Sequence, residues 1–204
     1  MKAFTSRSWS LGQPSKSVAT TVFGAPITLS TSCARGGADA RLSIIHLYGV
    51  WLWSAEFHYF RLPDPELWRD VLEKLKATGF NAVSFYFSWA YHSPARGVYD
   101  FSGVRDIDRL LDIAREVGLY VIARPGPYIN SELDSGGFPG WLSTQRGQAR
   151  TQADDYQAAW EEWFDHVNAI IARHQIVDGG GSVVLFQIEN EYGSYGNDKA
   201  YLNH

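Results

Sequence analysis

An α/β fold with a parallel sheet, of the (β/α)8 barrel type and about four strand and helix units long, is the architecture to expect from this chain. Three observations lead there. From residue 50 onward, nearly continuous apolar strands alternate with amphipathic helices, the pattern of a parallel sheet covered by helices. The first strand is followed by Ala55-Glu56-Phe57-His58-Tyr59-Phe60, where a doubly wound dinucleotide-binding sheet would carry its glycine-rich turn. The strand ends carry acids and aromatics, Glu56, His58, Tyr86, Trp89, Arg124, Asn130, Glu132, Asn190 and Glu191, on the face where such barrels keep their active sites.

The first unit pairs the aromatic strand Val50–Phe57 with a helix opened by Asp64-Pro65, carrying Leu67, Val71, Leu72 and Leu75 on one face, and stopped at Gly79. The second runs from strand Phe80–Trp89, through turns at Ser93-Pro94 and Arg96-Gly97, into a helix with Ile107, Leu110, Leu111, Ala114 and Val117 inward and Gly118 at its end. The third strand, Leu119–Arg124, leads through a Gly/Pro-rich loop to a helix opening near Thr151, with Asp154 as a capping-box variant and a buried stripe of Trp160, Trp163, Val167, Ile170 and Ile171. The fourth strand, Ser182–Ile188, runs straight into Glu189-Asn190-Glu191.

Residues 1–40 differ in kind, being rich in Ser, Thr, Ala and Gly with no acid before Asp39. They read as a poorly ordered extension; residues 41–204 read as the first half of a catalytic barrel. The extension has transit-peptide features, but its apolar piece Val22–Leu29 is interrupted by Gly24 and Pro26 and makes a weak signal core.

Composition narrows the function classes. With 45% hydrophobic and 20% charged residues and a net charge of -4, the chain has no basic stripe to attract nucleic acid. No apolar run reaches the roughly 20 residues of a membrane span. Cys33 stands alone, so it forms neither an internal disulfide nor a zinc site, and the redox compartment stays open. The six histidines lack the spacing of a helical metal-ligand pair, and no serine nucleophile elbow is present. Neither a metal nor a cofactor is expected.

Carboxylate chemistry remains. Glu191 follows a fully apolar strand, where desolvation is expected to hold a carboxyl protonated and ready to serve a leaving group. Glycosidic cleavage requires that group and a second carboxylate, about 5 Å away when a covalent intermediate forms with retention. Glu189 and Glu191, two apart on an extended strand, would point the same way about 7 Å apart and flank a substrate instead of facing it. Taken singly, Glu56 and His58 read as hydrogen-bonded strand-end residues. Arg124 reads as holding a carboxylate at the mouth. Tyr86 and Trp89 fit either the core or the apolar face of a sugar ring.

Five runs, Glu56-Phe57-His58-Tyr59-Phe60-Arg61-Leu62-Pro63, Tyr86 with Trp89, Arg124-Pro125-Gly126-Pro127-Tyr128-Ile129-Asn130, Gly136-Gly137-Phe138-Pro139-Gly140-Trp141-Leu142 and Gln187-Ile188-Glu189-Asn190-Glu191-Tyr192, resemble glycoside hydrolase family 35, the β-galactosidases. The likeness spans roughly residues 50–195. It implies a retaining exo-hydrolase of terminal non-reducing β-D-galactose on a (β/α)8 barrel, with a β-galactoside as substrate. Glu191 matches the family's proton donor, and Asn190 the residue on the 2-hydroxyl. Tyr86, Asn130 and Glu132 match residues on the galactose hydroxyls, with Ser131 contributing backbone. Ala55 replaces a usual glycine. The family's nucleophile is a glutamate after the seventh strand, and the four units here contain none in that role. The resemblance also implies a secreted or lysosome- or vacuole-like location, although no clear signal peptide is present. Two expectations follow for the chain alone: a partial site that is inert without the remaining strands, or a non-catalytic galactoside-binding protein. Its open sheet edges favour self-association.

Overall fold

The computed structural model describes residues 50–204 apart from Gly179. The expected extension over residues 1–40, with Cys33, lies outside the described residues. Four strands, β1 (Ser54–Glu56), β2 (Ala82–Tyr86), β3 (Tyr120–Gly126) and β4 (Val183–Ile188), form one parallel sheet in the order β1-β2-β3-β4. Helices connect them: α1 (Pro65–Ala77), the short α2 (Trp89–His92), α3 (Ile107–Val117) and the long α4 (Asp154–Arg173). Two short helices, α5 (Tyr192–Tyr195) and α6 (Lys199–Asn203), follow β4. Every strand runs in the same sense, so all four carboxyl ends open on one face.

Local chemistry fixes the helix ends. The Asp64 side chain accepts from the Glu66 N–H with Pro65 at the first turn of α1, and Asp106 accepts from the Arg109 N–H at the start of α3. Gly118 ends α3 in the left-handed region at φ 80°, a conformation that costs other residues a steric penalty.

Three boundaries differ from expectation. β1 is three residues long and has a neighbour on one side only among the described residues. β2 stops at Tyr86: the Ser88 hydroxyl accepts from the Tyr91 N–H and starts α2, which carries Trp89 away from the rim. Trp89 is fully buried against Phe138, Trp141 and Trp163, a core residue with no face free for a sugar. α4 opens at Asp154 instead of near Thr151, because the Thr151 hydroxyl caps a preceding turn. The Asp155 carboxylate instead collects the N–H groups of Arg146, Gly147 and Tyr156, and the Gly147 bond leads in holding it below its usual pKa.

The core lies between the sheet and helices α1, α3 and α4, and it is unusually aromatic. Trp163 on α4 stacks over Trp89, Tyr99 and Phe101, and its indole N–H donates to the Pro125 carbonyl at 2.9 Å, tying α4 to the end of β3. His92 is sealed beside it. Its Nδ1 sits 2.8 Å from the Asp100 carbonyl, which only accepts, so Nδ1 carries the proton and Nε2 accepts from the Tyr59 hydroxyl at 2.6 Å. Burial is the main reason its pKa falls from 6.5 to about 4.

Two outcomes follow. Trp163→Ala is expected to lower the unfolding free energy by about 3–5 kcal/mol, read by urea denaturation. Because His92 folds neutral while the unfolded chain takes up the proton, its contribution is complete above pH 6.5 and drains away as pH falls to about 4. The loss amounts to about 3 kcal/mol, and His92→Gln should flatten the stability-pH curve in that window.

Candidate active site

The open face of the sheet is organised by Arg124, near the end of β3. Its Nη2 donates to the Asn190 Oδ1 at 2.8 Å, its Nη1 reaches the Glu56 Oε2 at 3.4 Å, and its guanidinium lies 3.7 Å from the centre of the Tyr86 ring. Register explains the gathering: Tyr86 pairs with Arg124 across β2 and β3, Glu56 ends β1 beside Ser84, and Asn190 follows β4. Among the carboxylates and cation of the mouth, Arg124 thus fixes the Asn190 amide, leaving the Nδ2 side without a partner among the described residues.

A second layer links Glu56 to the loop after β3. The Glu56 carboxylate accepts from His58 Nε2 at 2.6 Å, and His58 Nδ1 accepts from Arg61. Arg61 Nη2 then donates to the Ser131 carbonyl at 2.5 Å and to that of Glu132 at 3.3 Å. These bonds grip a run of three left-handed residues, Asn130 (φ 55°), Ser131 (φ 52°) and Glu132 (φ 48°), a strained turn that needs such support. Ser131 is buried, with its hydroxyl 3.4 Å from the His58 ring and its carbonyl occupied by Arg61. Asn130 is half-buried and Glu132 exposed, and neither side chain bonds to a described residue.

The two glutamates after β4 part company. The strand ends at Ile188, and both Glu189 (φ 58°) and Glu191 (φ 50°) are left-handed, so the extended geometry expected for them does not occur. Glu189 turns inward: it is 5% exposed, takes the Nε and Nη2 of Arg150 at 3.0 and 2.6 Å on one oxygen, and the Tyr201 hydroxyl at 2.5 Å on the other. Glu191 is exposed and has no side-chain partner among the described residues. The desolvated surroundings expected of Glu191 belong to Glu189, because the turn swings Glu191 past the strand end. No strand lies beyond β4 among the described residues to cover it.

Charge at the mouth registers on Tyr86. Burial raises its phenol pKa, Arg124 opposes the rise, and Glu56, Glu132 and Glu191 add to it. The sequence-predicted residues Tyr86, Glu132 and Glu191 therefore share one electrostatic neighbourhood, joined to Asn190 through Arg124 and to Ser131 through His58. Sequence reasoning missed Arg150 and Tyr201, which carry no motif signal, and the part played by Arg61. The only available cue to Arg61 was its place in the run Glu56–Pro63. Among the described residues no cluster of three or more His, Cys, Asp or Glu side chains is arranged to hold a metal ion, and no helix is long and apolar enough to cross a membrane.

A parallel α/β sheet with its carboxylates and aromatics at the strand ends is the arrangement of the barrel glycosidases. Solved structures bear out the fold: the GH5_18 protein of Bifidobacterium longum has a TM-score of 0.56 at 19% identity, over 72% of this chain and 35% of that one. The exo-beta-1,4-mannosidase Op5Man5 of an Opitutaceae bacterium has 0.54 at 20% identity, over 68% of this chain and 24% of that one. Residues 46–204 match the model of glycosyl hydrolases family 35, and the chain belongs to that family. Its relatives include the probable beta-galactosidase B of Neosartorya fischeri and that of Emericella nidulans, each 51% identical over 146 residues. Those alignments cover 71% of this chain and 14% of each relative's length.

The Tyr86 environment gives a test. Arg124→Met removes a cation that opposes the rise, so the phenol should ionise at still higher pH, whereas Glu191→Gln removes a negative neighbour and should bring it down. A pH titration of the Tyr86 13Cζ signal checks both signs. No movement in either variant would mean that these groups do not share one mouth.

Proposed function

We propose that this chain supplies the proton-donor side of a retaining β-galactosidase site, acting on terminal non-reducing β-D-galactose. One observation carries the reading. Around the mouth, Glu56, His58, Arg61 and Ser131 bond to one another and Arg124 bonds to Asn190 and Glu56, whereas the Asn130, Glu132 and Glu191 side chains bond to no described residue. Polar groups held in place by a braced backbone but left unpartnered are what a polyhydroxylated ligand requires.

In this reading Glu191 protonates the glycosidic oxygen as the bond breaks and then takes a proton from the water that releases the sugar. Asn190, its oxygen held by Arg124, presents its Nδ2 hydrogens to the 2-hydroxyl. Tyr86, Asn130 and Glu132 bind the remaining hydroxyls, and Ser131, its carbonyl taken by Arg61, contributes its backbone N–H while holding the turn against His58. Retention needs a nucleophilic carboxylate on the other face of the sugar, about 5 Å from Glu191. The whole relatives, of which 14% is matched here, are where that group is to be sought.

A titration of the 204-residue chain with galactose, followed by amide NMR, is expected to perturb Tyr86, Asn130, Glu132 and Asn190, and Glu132→Gln and Asn190→Ala should each weaken the response. Absence of any response sinks the sugar-site reading. The same chain should not turn over a chromogenic β-galactoside; turnover abolished by Glu191→Gln would mean that these residues contain both carboxylates after all. Binding without turnover in the whole protein would favour a galactoside-binding protein over an enzyme.

The sheet edges belong to the same proposal. Among the described residues β1 and β4 each lack an outer partner, and Trp51 and Trp53 beside β1 are 50% and 61% exposed. Unpaired edges with exposed aromatics favour association of the chain with itself. Light scattering should find species larger than a monomer, and a monodisperse monomer with one cooperative melt would overturn this.

A further inference from the structure

We propose that Arg150 is a positioning residue for Asn190 and Glu191, acting from outside the mouth through Glu189 and the turn backbone. The proposal rests on the reading of Glu191 as proton donor and adds to it the group that sets where the donor stands. Glu189, Glu191 and Arg150 itself (φ 62°) are all non-glycine residues in the left-handed region, a conformation that persists only when the surroundings impose it.

Those surroundings converge on one guanidinium. Arg150 Nε and Nη2 hold the Glu189 Oε2, and the same Nη2 donates to the Asn190 carbonyl at 2.7 Å. The Asn190 N–H returns to the Glu189 Oε2 at 3.2 Å, so carboxylate, guanidinium and turn backbone form a closed ring. From the other side the Tyr192 hydroxyl donates to the Arg150 carbonyl at 3.1 Å. The guanidinium lies 3.9 Å from the Tyr128 ring centre and 4.2 Å from that of Tyr195, and Tyr201 anchors the second Glu189 oxygen. A planar fork meets a carboxylate, a carbonyl and two rings at once in one fixed geometry; a lysine ammonium, a point charge on a flexible stem, has donors but no fork to hold them in that arrangement.

A buried ion pair of this kind adds little to stability over apolar residues of the same size, since desolvation cancels most of the attraction. Its residues therefore separate two roles. The double variant Arg150→Met with Glu189→Leu removes both charges together and leaves Tyr201 bonded to Tyr156. If the pair serves packing alone, Glu191 should keep its left-handed backbone signals in that variant and galactose should bind equally well.

The expected result is a protein that still melts cooperatively, at a temperature lowered by loss of the partners of the Asn190 carbonyl and N–H, with a Glu191 whose HN–Hα coupling and backbone shifts leave the left-handed range. Galactose affinity should then fall by about tenfold, the equivalent of losing one or two sugar hydrogen bonds. Arg150→Lys, which keeps the charge balance, should lie between the two. Should the double variant fail to fold, the lysine variant decides by the same measurements. Unchanged Glu191 signals and unchanged affinity would overturn the proposal. If the unmodified protein gave no galactose response, the sugar-site reading would fall, while the Glu191 signals would still decide whether Arg150 sets the turn.

Discussion

All four strands end against one side chain. Arg124 belongs to β3, lies on the Tyr86 ring at the end of β2, reaches Glu56 at the end of β1 and holds Asn190 beyond the end of β4. A half-buried cation is costly unless its charge is answered, and the register of the parallel sheet brings those answers to it. Burial lowers the Arg124 pKa, and Tyr86, Glu56 and Glu191 raise it. A protein that aligns its strand ends in this way obtains a mouth with fixed polar groups around one guanidinium.

The surrounding architecture serves that alignment. Trp163 ties α4 to Pro125, one residue beyond Arg124, and the aromatic cluster around it makes the end of β3 among the best packed parts of the molecule. Arg61 and His58 brace the Asn130–Glu132 turn from the first strand's loop, and Arg150 braces Glu189–Glu191 from the third. Each turn that presents a free side chain is held by an arginine from a different loop. Arginine suits the task because its five donors can serve a carbonyl and a second acceptor at once.

The sequence made the scaffold readable where local chemistry is strong. Asp64-Pro65 and Gly118 mark helix ends by mechanisms that act within a few residues, and the apolar runs of β2, β3 and β4 identify strands that are covered by helices. Trp89 was ambiguous because an aromatic after an apolar run reads equally as strand or rim; the Ser88 cap that turns it into the core is a tertiary outcome as much as a local one. Glu189, Asn190 and Glu191 were legible as a candidate site, since polar residues abruptly follow Ile188. Their division of labour was not, because it depends on left-handed backbone at two glutamates and on Arg150, some forty positions earlier with no periodic or motif signal.

That division is the more instructive result. Two glutamates separated by one residue have the same chemistry in the chain and opposite surroundings in the fold. Glu189 is enclosed by a guanidinium and a tyrosine hydroxyl, so its charge is committed to structure, while Glu191 keeps both oxygens free of described partners. A carboxylate engaged by a guanidinium and a hydroxyl holds the turn backbone, and its oxygens are not open to a further partner. An enclosed carboxylate two positions before a free one divides the tasks: Glu189 holds the turn backbone together with Arg150, and the same turn presents Glu191 with its oxygens unengaged by described residues.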